Sequence, residues 1–134
     1  MKAAVLVFML ASPAAAQEYV ASEGASLRFL DKLTSETGDV TLGRGQSAKF
    51  GRLLVQLDEC RYPAANPASD NEAHLTIVEE ATKLQLFGGW MLAASPALSA
   101  LDHPRYDVWV LSCVLPETAA KADPTAPPAT PEGE

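Results

Sequence analysis

Metal-ligating side chains are scarce in this chain: its 134 residues include two histidines, His74 and His103, and two cysteines, Cys60 and Cys113. No H-x-H, H-x-x-x-H or paired-cysteine spacing joins them, so the pattern of a tetrahedral zinc centre is missing. The acids near the histidines, Asp70, Glu72, Asp102 and Asp107, do not fall into the D-x-D-x-D-G run of a calcium loop. There is no G-x-G-x-x-G or phosphate-loop spacing either. "GRGQ" and "FGG" read as turns or bulges, and no cofactor is expected. Basic residues are also in short supply: ten Lys and Arg stand against seventeen Asp and Glu, for a net charge of −7, and no basic cluster is present. That balance excludes nucleic acid or an anionic membrane surface as the main partner.

Long apolar runs are lacking as well. One stands at the N-terminus, from Ala3 to about Ala11, and it is about half the roughly 20 residues a bilayer requires. Lys2 precedes it, and Ser12, Pro13 and Ala14-Ala15-Ala16 follow, which is the layout of a secretory signal peptide over residues 1–16 with cleavage after Ala16. No cysteine follows the cleavage point to carry a lipid. The expected product is an exported chain without a membrane span, and the loss of Lys2 takes its charge to about −8.

In an exported protein, two cysteines read as one disulfide, Cys60 to Cys113. Closing a loop of that length contributes on the order of 4 kcal/mol in the chain-entropy model. The rival use, a lone reactive or metal-binding thiol, is disfavoured by the compartment.

Residues 17–24 read as a short polar lead-in. Residues 116–134, rich in Pro, Ala and acid, cannot bury enough apolar surface to offset chain entropy and read as a disordered tail. The folded unit is therefore 25–115. Inside it the apolar period is near 2: Leu53, Val55 and Leu57 alternate with Leu54, Gln56 and Asp58. About six short strands separated by turn signals predict a mostly β domain, a compact antiparallel sheet rolled into a small barrel or sandwich. "LRFLDKLT" (27–34) reads as a strand with a turn at Ser35–Asp39. "ASPALSALDHP" reads as a helix over 96–102 with Ser95 as its N-cap, Pro96 in its first turn and Pro104 stopping it.

The segment "LFGGWMLAASPALSALDHPRYDVWVLSC" (86–113) concentrates both tryptophans with Ser95, His103 and Asp107. Those three supply the residue types of a hydrolase triad, but "AASPA" is not a nucleophile elbow, and a capping serine has its oxygen committed to backbone N–H groups. Paired carboxylates fare no better: Asp58–Glu59 and Glu79–Glu80 are neighbours on strands, and alternation sends neighbours to opposite faces. Packing chemistry is the better account, with Trp90, Pro96, His103 and Tyr106 as a candidate interaction surface.

The run L-F-x-G-W-M-x-A-x-S-P-x-L-x-A-L-x-H-P-x-Y-D-V-W-x-x-x-C, with "LDKLT" and "FGRLLVQLDECRY" before it, resembles the DUF2155 family of exported alphaproteobacterial proteins over residues 27–113. The resemblance implies a periplasmic protein with a cysteine pair and no catalytic residues. It also implies an association with an inner-membrane respiratory complex of the NADH:quinone oxidoreductase kind. The expectation is a non-enzymatic binding or accessory protein with a protein partner in the cell envelope; the alternative is a small periplasmic hydrolase using Ser95, His103 and Asp107.

Overall fold

The computed structural model describes residues 12–116. Most of the predicted signal peptide and all but the first residue of the predicted tail lie outside the described residues. Eight strands form two antiparallel sheets: β1 Tyr19–Ser22, β2 Gly24–Asp31, β3 Glu36–Gly43, β4 Ser47–Phe50, β5 Leu53–Pro63, β6 Glu72–Glu79, β7 Gln85–Leu92 and β8 Tyr106–Cys113. The larger sheet runs β1-β5-β6-β7; β4 shares with β1 the edge of β5 that β6 leaves open. The smaller sheet runs β3-β2-β8.

The chain changes sheets three times, twice at tight corners and last through residues 93–105 between β7 and β8. The first is Glu23, a single residue between β1 and β2. The second is the turn after β3, where Gly45 takes a φ of 79° and its N–H donates to the Leu57 carbonyl at 2.7 Å. At the tip of the β4–β5 hairpin Gly51 has a φ of 54°, and a Cβ there would lie 2.5 Å from the Tyr106 hydroxyl. Only glycine combines that backbone with that close approach.

Alternation places the core as the sequence predicts. Leu53, Val55 and Leu57 of β5 are fully buried and meet Ala73, Leu75 and Ile77 of β6 and Met91 of β7 on the inner side of the larger sheet. Leu27 and Phe29 of β2 and Val108 and Val110 of β8 fill the other side. Phe29 stacks on Phe50 with 3.7 Å between ring centroids, and Tyr106 meets Phe50 edge-on. The Cys60–Cys113 disulfide ties β5 to the end of β8, and so joins the two sheets. Asn71, 3% exposed, reinforces the same corner: its side-chain oxygen accepts from the Cys113 N–H at 2.7 Å, and its amide donates to the carbonyls of Pro67 and Ser69.

Three local readings change. The polar lead-in contains β1, whose register with β5 runs from Tyr19 opposite Pro63 to Ser22 opposite Cys60. The β2–β3 turn comes earlier than the apolar pattern implies. Asp31 accepts from the N–H groups of Leu33 (2.9 Å) and Thr34 (3.4 Å), so the chain reverses over 32–35 and leaves Leu33 exposed. The helix over 96–102 is a 3-10 turn, Pro96–Leu98, and the Ser95 side chain makes no capping bond. A seven-residue stretch closed by Pro104 is too short to repay helix nucleation, and one apolar anchor suffices: Leu101 is buried while Leu98 is 77% exposed.

Candidate functional site

The outer side of the larger sheet is organised by a bulge in β5. Between Leu57 and Glu59 the register with β6 slips, so Asp58 and Glu59 together oppose His74. Leu57 and Cys60 are both buried, three residues apart, and the two acids between them turn to the outer face. The reading that adjacent acids on a strand must diverge is therefore corrected for Asp58–Glu59. The extra residue cancels the alternation at that point.

Cross-strand register then builds three rows on this face. One holds Arg61, Glu72 and Leu92; the next holds Asp58 and Glu59, His74 and Trp90; the third holds Gln56, Thr76 and Gly88. Strands lie roughly 4.8 Å apart and successive same-face rows roughly 7 Å apart, so neighbours within and between rows touch.

Every ring in the middle of this face is held in place. The Arg61 guanidinium lies 4.1 Å from the Trp90 ring centroid and 4.8 Å from that of Tyr19, and donates through Nε to Glu72 at 2.7 Å. Its second nitrogen meets the same carboxylate oxygen at 2.6 Å. Tyr19 donates its hydroxyl to Glu72 at 3.4 Å; partial burial first, and then the Glu72 charge, hold that phenol above its ordinary value. Trp90 also meets the His74 ring edge-on at 5.3 Å.

His74 is fixed by Asp58, whose Oδ2 lies 2.9 Å from Nδ1 and accepts from Thr76 Oγ1 at 2.7 Å, while Oδ1 accepts from Gln56 at 2.9 Å. Burial pushes the Asp58 carboxyl upward, but the bonds from His74, Thr76 and Gln56 outweigh it and hold the pKa below its usual value. An ionised carboxylate only accepts, so His74 carries a proton on Nδ1. The Glu59 side chain, half-buried beside it, makes no hydrogen bond or ion pair among the described residues.

The residues singled out from sequence are dispersed. Trp90 belongs to this face. Tyr106 does not: it is 2% exposed and sits in the core because β8 turns Tyr106, Val108 and Val110 inward. His103 stacks on Tyr106 at 5.2 Å at the far end of the smaller sheet, and Pro96 lies on the exposed 3-10 turn. The proposed surface of Trp90, Pro96, His103 and Tyr106 is therefore not one surface.

Ser95, His103 and Asp107 do not hydrogen-bond to one another among the described residues. His103 Nδ1 accepts the N–H groups of Arg105 and Tyr106, each at 3.0 Å, and Asp107 pairs with Lys32 at 3.5 Å. The nitrogen a triad would turn toward its aspartate is occupied by backbone. Trp109 lies on the outer side of the smaller sheet, and a groove of about 200 Å³ runs between Asp107, Val108 and Trp109 of β8 and Pro96, Ala97, Ala100 and Leu101.

Sequence reasoning missed Tyr19, Arg61, Glu72 and His74. One signal was available. If Leu57 and a disulfide-bonded Cys60 both face the core, their spacing of three within one strand requires a bulge, and the bulge exposes the acids between them.

The sandwich and its disulfide coincide with a family match. The family model described as an uncharacterized protein conserved in bacteria, DUF2155, matches residues 25–113, from the first core residue of β2 to the second half-cystine. The chain belongs to the DUF2155 family. A relative, "Uncharacterized protein RP359" of Rickettsia prowazekii (strain Madrid E), is 30% identical over 87 residues, covering 63% of this chain and 56% of the relative. The chain thus matches little more than half the length of that curated relative. No solved structure matches it. The family match begins after β1, so Tyr19 lies outside it while Arg61, Glu72, His74 and Trp90 lie within.

Proposed function

We propose that this DUF2155 protein is an exported, non-enzymatic binding or accessory protein that docks the outer face of its larger sheet on a protein of the cell envelope. The partner in this reading is an inner-membrane respiratory complex. The observation that carries it is the fixation of Trp90: a large ring kept out of the core, partly exposed, and clamped by Arg61 and His74, which are themselves held by Glu72 and Asp58. A pre-positioned tryptophan surrounded by ordered polar groups has the anatomy of a binding hot spot, because little side-chain entropy remains to be lost on docking.

Export is supported by the Cys60–Cys113 disulfide, which persists in an oxidising compartment, and by the signal-like N-terminal sequence. Among the described residues no helix is long and apolar enough to cross a membrane. The hydrolase alternative draws no support from the hydrogen bonding of Ser95, His103 and Asp107.

The test is photocrosslinking in intact cells from a reactive side chain placed at Gln56 or Thr76, followed by affinity recovery from detergent-solubilised envelope and mass spectrometry. Repeated recovery of one inner-membrane complex, lost with Trp90→Ala, is the expected result. Recovery unchanged by Trp90→Ala and His74→Ala in folded, disulfide-intact protein removes the face from consideration.

A further inference from the structure

The docking reading leaves open what the partner brings to the Trp90 face, and the charges there answer it. Within the three central rows, Asp58, Glu59 and Glu72 stand against Arg61 as the only formal cation. Arg61 is committed to Glu72, and Asp58 is occupied by Gln56, His74 and Thr76. Glu59 is left over. It is half-buried, it lies in the same row as His74 and Trp90, and it has no partner among the described residues.

Glu59 and Trp90 are two strands apart, roughly 10 Å, so a partner that covers the tryptophan also covers the carboxylate. An apolar or acidic partner would strand Glu59 as a buried, unpaired charge, and such a group costs far more than an exposed one. A cationic side chain removes that cost. The face already shows how such a cation is held: the Arg61 guanidinium lies over the Trp90 ring at 4.1 Å while bonded to a carboxylate. The chain's net charge of −7 adds long-range attraction for a basic partner.

We infer, on the basis of the docking reading, that the Glu59–His74–Trp90 row receives a basic polypeptide segment, with a Lys or Arg side chain pairing with Glu59 while the segment runs on across His74 to cover the Trp90 ring. The geometry suits an extended segment lying across the strands.

The test uses the purified chain, a hexa-arginine peptide and a hexa-glutamate peptide, followed by NMR of backbone amides and the tryptophan indole N–H groups. The expected result is saturable binding of hexa-arginine, with shifts at Glu59, His74 and the Trp90 indole and none at the Trp109 indole. Affinity should fall with added salt, and Glu59→Gln should weaken binding about tenfold. Glu59→Gln breaks no hydrogen bond among the described residues, so the fold is expected to survive it.

Shifts spread over all acidic surfaces, or an affinity unmoved by Glu59→Gln, overturn the inference. So does the absence of hexa-arginine binding. If the crosslinking experiment still captures its complex in that case, the docking face stands and only the basic character of its partner is wrong. If crosslinking captures nothing, the docking reading itself fails.

Discussion

The two outer faces of the sandwich each carry one tryptophan, and they treat charge in opposite ways. On the smaller sheet Arg28 and Asp39 are cross-strand neighbours joined by two bonds of 2.8 and 2.9 Å, Ser26 and Thr41 share a hydrogen bond of 3.0 Å, and Lys32 answers Asp107. Trp109 lies beside Arg28 in the register, with the 96–101 segment lying alongside. Each formal charge named there has its opposite within the face. On the larger sheet, charges are arranged around the ring: Arg61 stacks on Trp90, Asp58 orients His74, and Glu59 is left without a mate among the described residues. Under the docking proposal, the self-satisfied face has little to offer a partner, whereas the half-buried Glu59 carboxylate of the other face is the group a partner would answer.

The sharpest way to break this comparison is to truncate each tryptophan in turn. Trp90→Ala is expected to reduce recovery of the envelope partner at least tenfold, and Trp109→Ala to leave it within about twofold, since hot-spot truncations cost ~2 kcal/mol or more and rim changes little. Quantitative mass spectrometry of the crosslinked complex reads both. Equal losses would mean that the two faces do not differ in function.

The next effect concerns what the faces share. Cys60→Ser with Cys113→Ser removes the covalent link between the sheets, and stability to urea is expected to fall by about 2–5 kcal/mol. Reductant should reproduce the loss in the wild type and change nothing in the double variant.

A smaller effect, at the buried Asp31 of β2, depends on pH. Arg105 donates to both oxygens of Asp31, and with the backbone bonds from Leu33 and Thr34 it holds that carboxyl down to about 2, against burial and against an ordinary value of 3.8. A carboxylate with a lowered folded-state pKa stabilises fully above its unfolded value, and that contribution disappears as pH falls from about 4 through about 2. Urea melts between pH 2 and 6 should show this decline, and Arg105→Ala should flatten it in that window. The smallest effect belongs to the exposed Arg28–Asp39 pair: Arg28→Ala is expected to leave Tm unchanged within about 1 °C, because exposed ion pairs contribute little.

Much of the fold can be read without coordinates, because a half-buried strand announces itself by alternation. Leu53, Val55 and Leu57 mark the inner face of β5, and two cysteines in a chain with a signal-like start allow one pairing. The candidate site is legible only in part. Trp90 stands out by residue type, but Tyr106, equally aromatic, is core, and nothing local to it says so. Arg61, Glu72 and His74 look like ordinary surface residues in sequence, since their partners are 11 to 16 positions away and meet them only through strand pairing.

What the amino-acid sequence determined by itself was the class of fold, the staple and the positions of the core strands, all of which follow from periodicity and residue chemistry along a single strand. What only tertiary structure decided was which face each exceptional residue occupies. A single bulge at Asp58 reverses the alternation of everything after it, bringing Cys60 inward and two acids outward beside His74. That reversal is a property of two strands paired in register, and one strand read alone does not contain it.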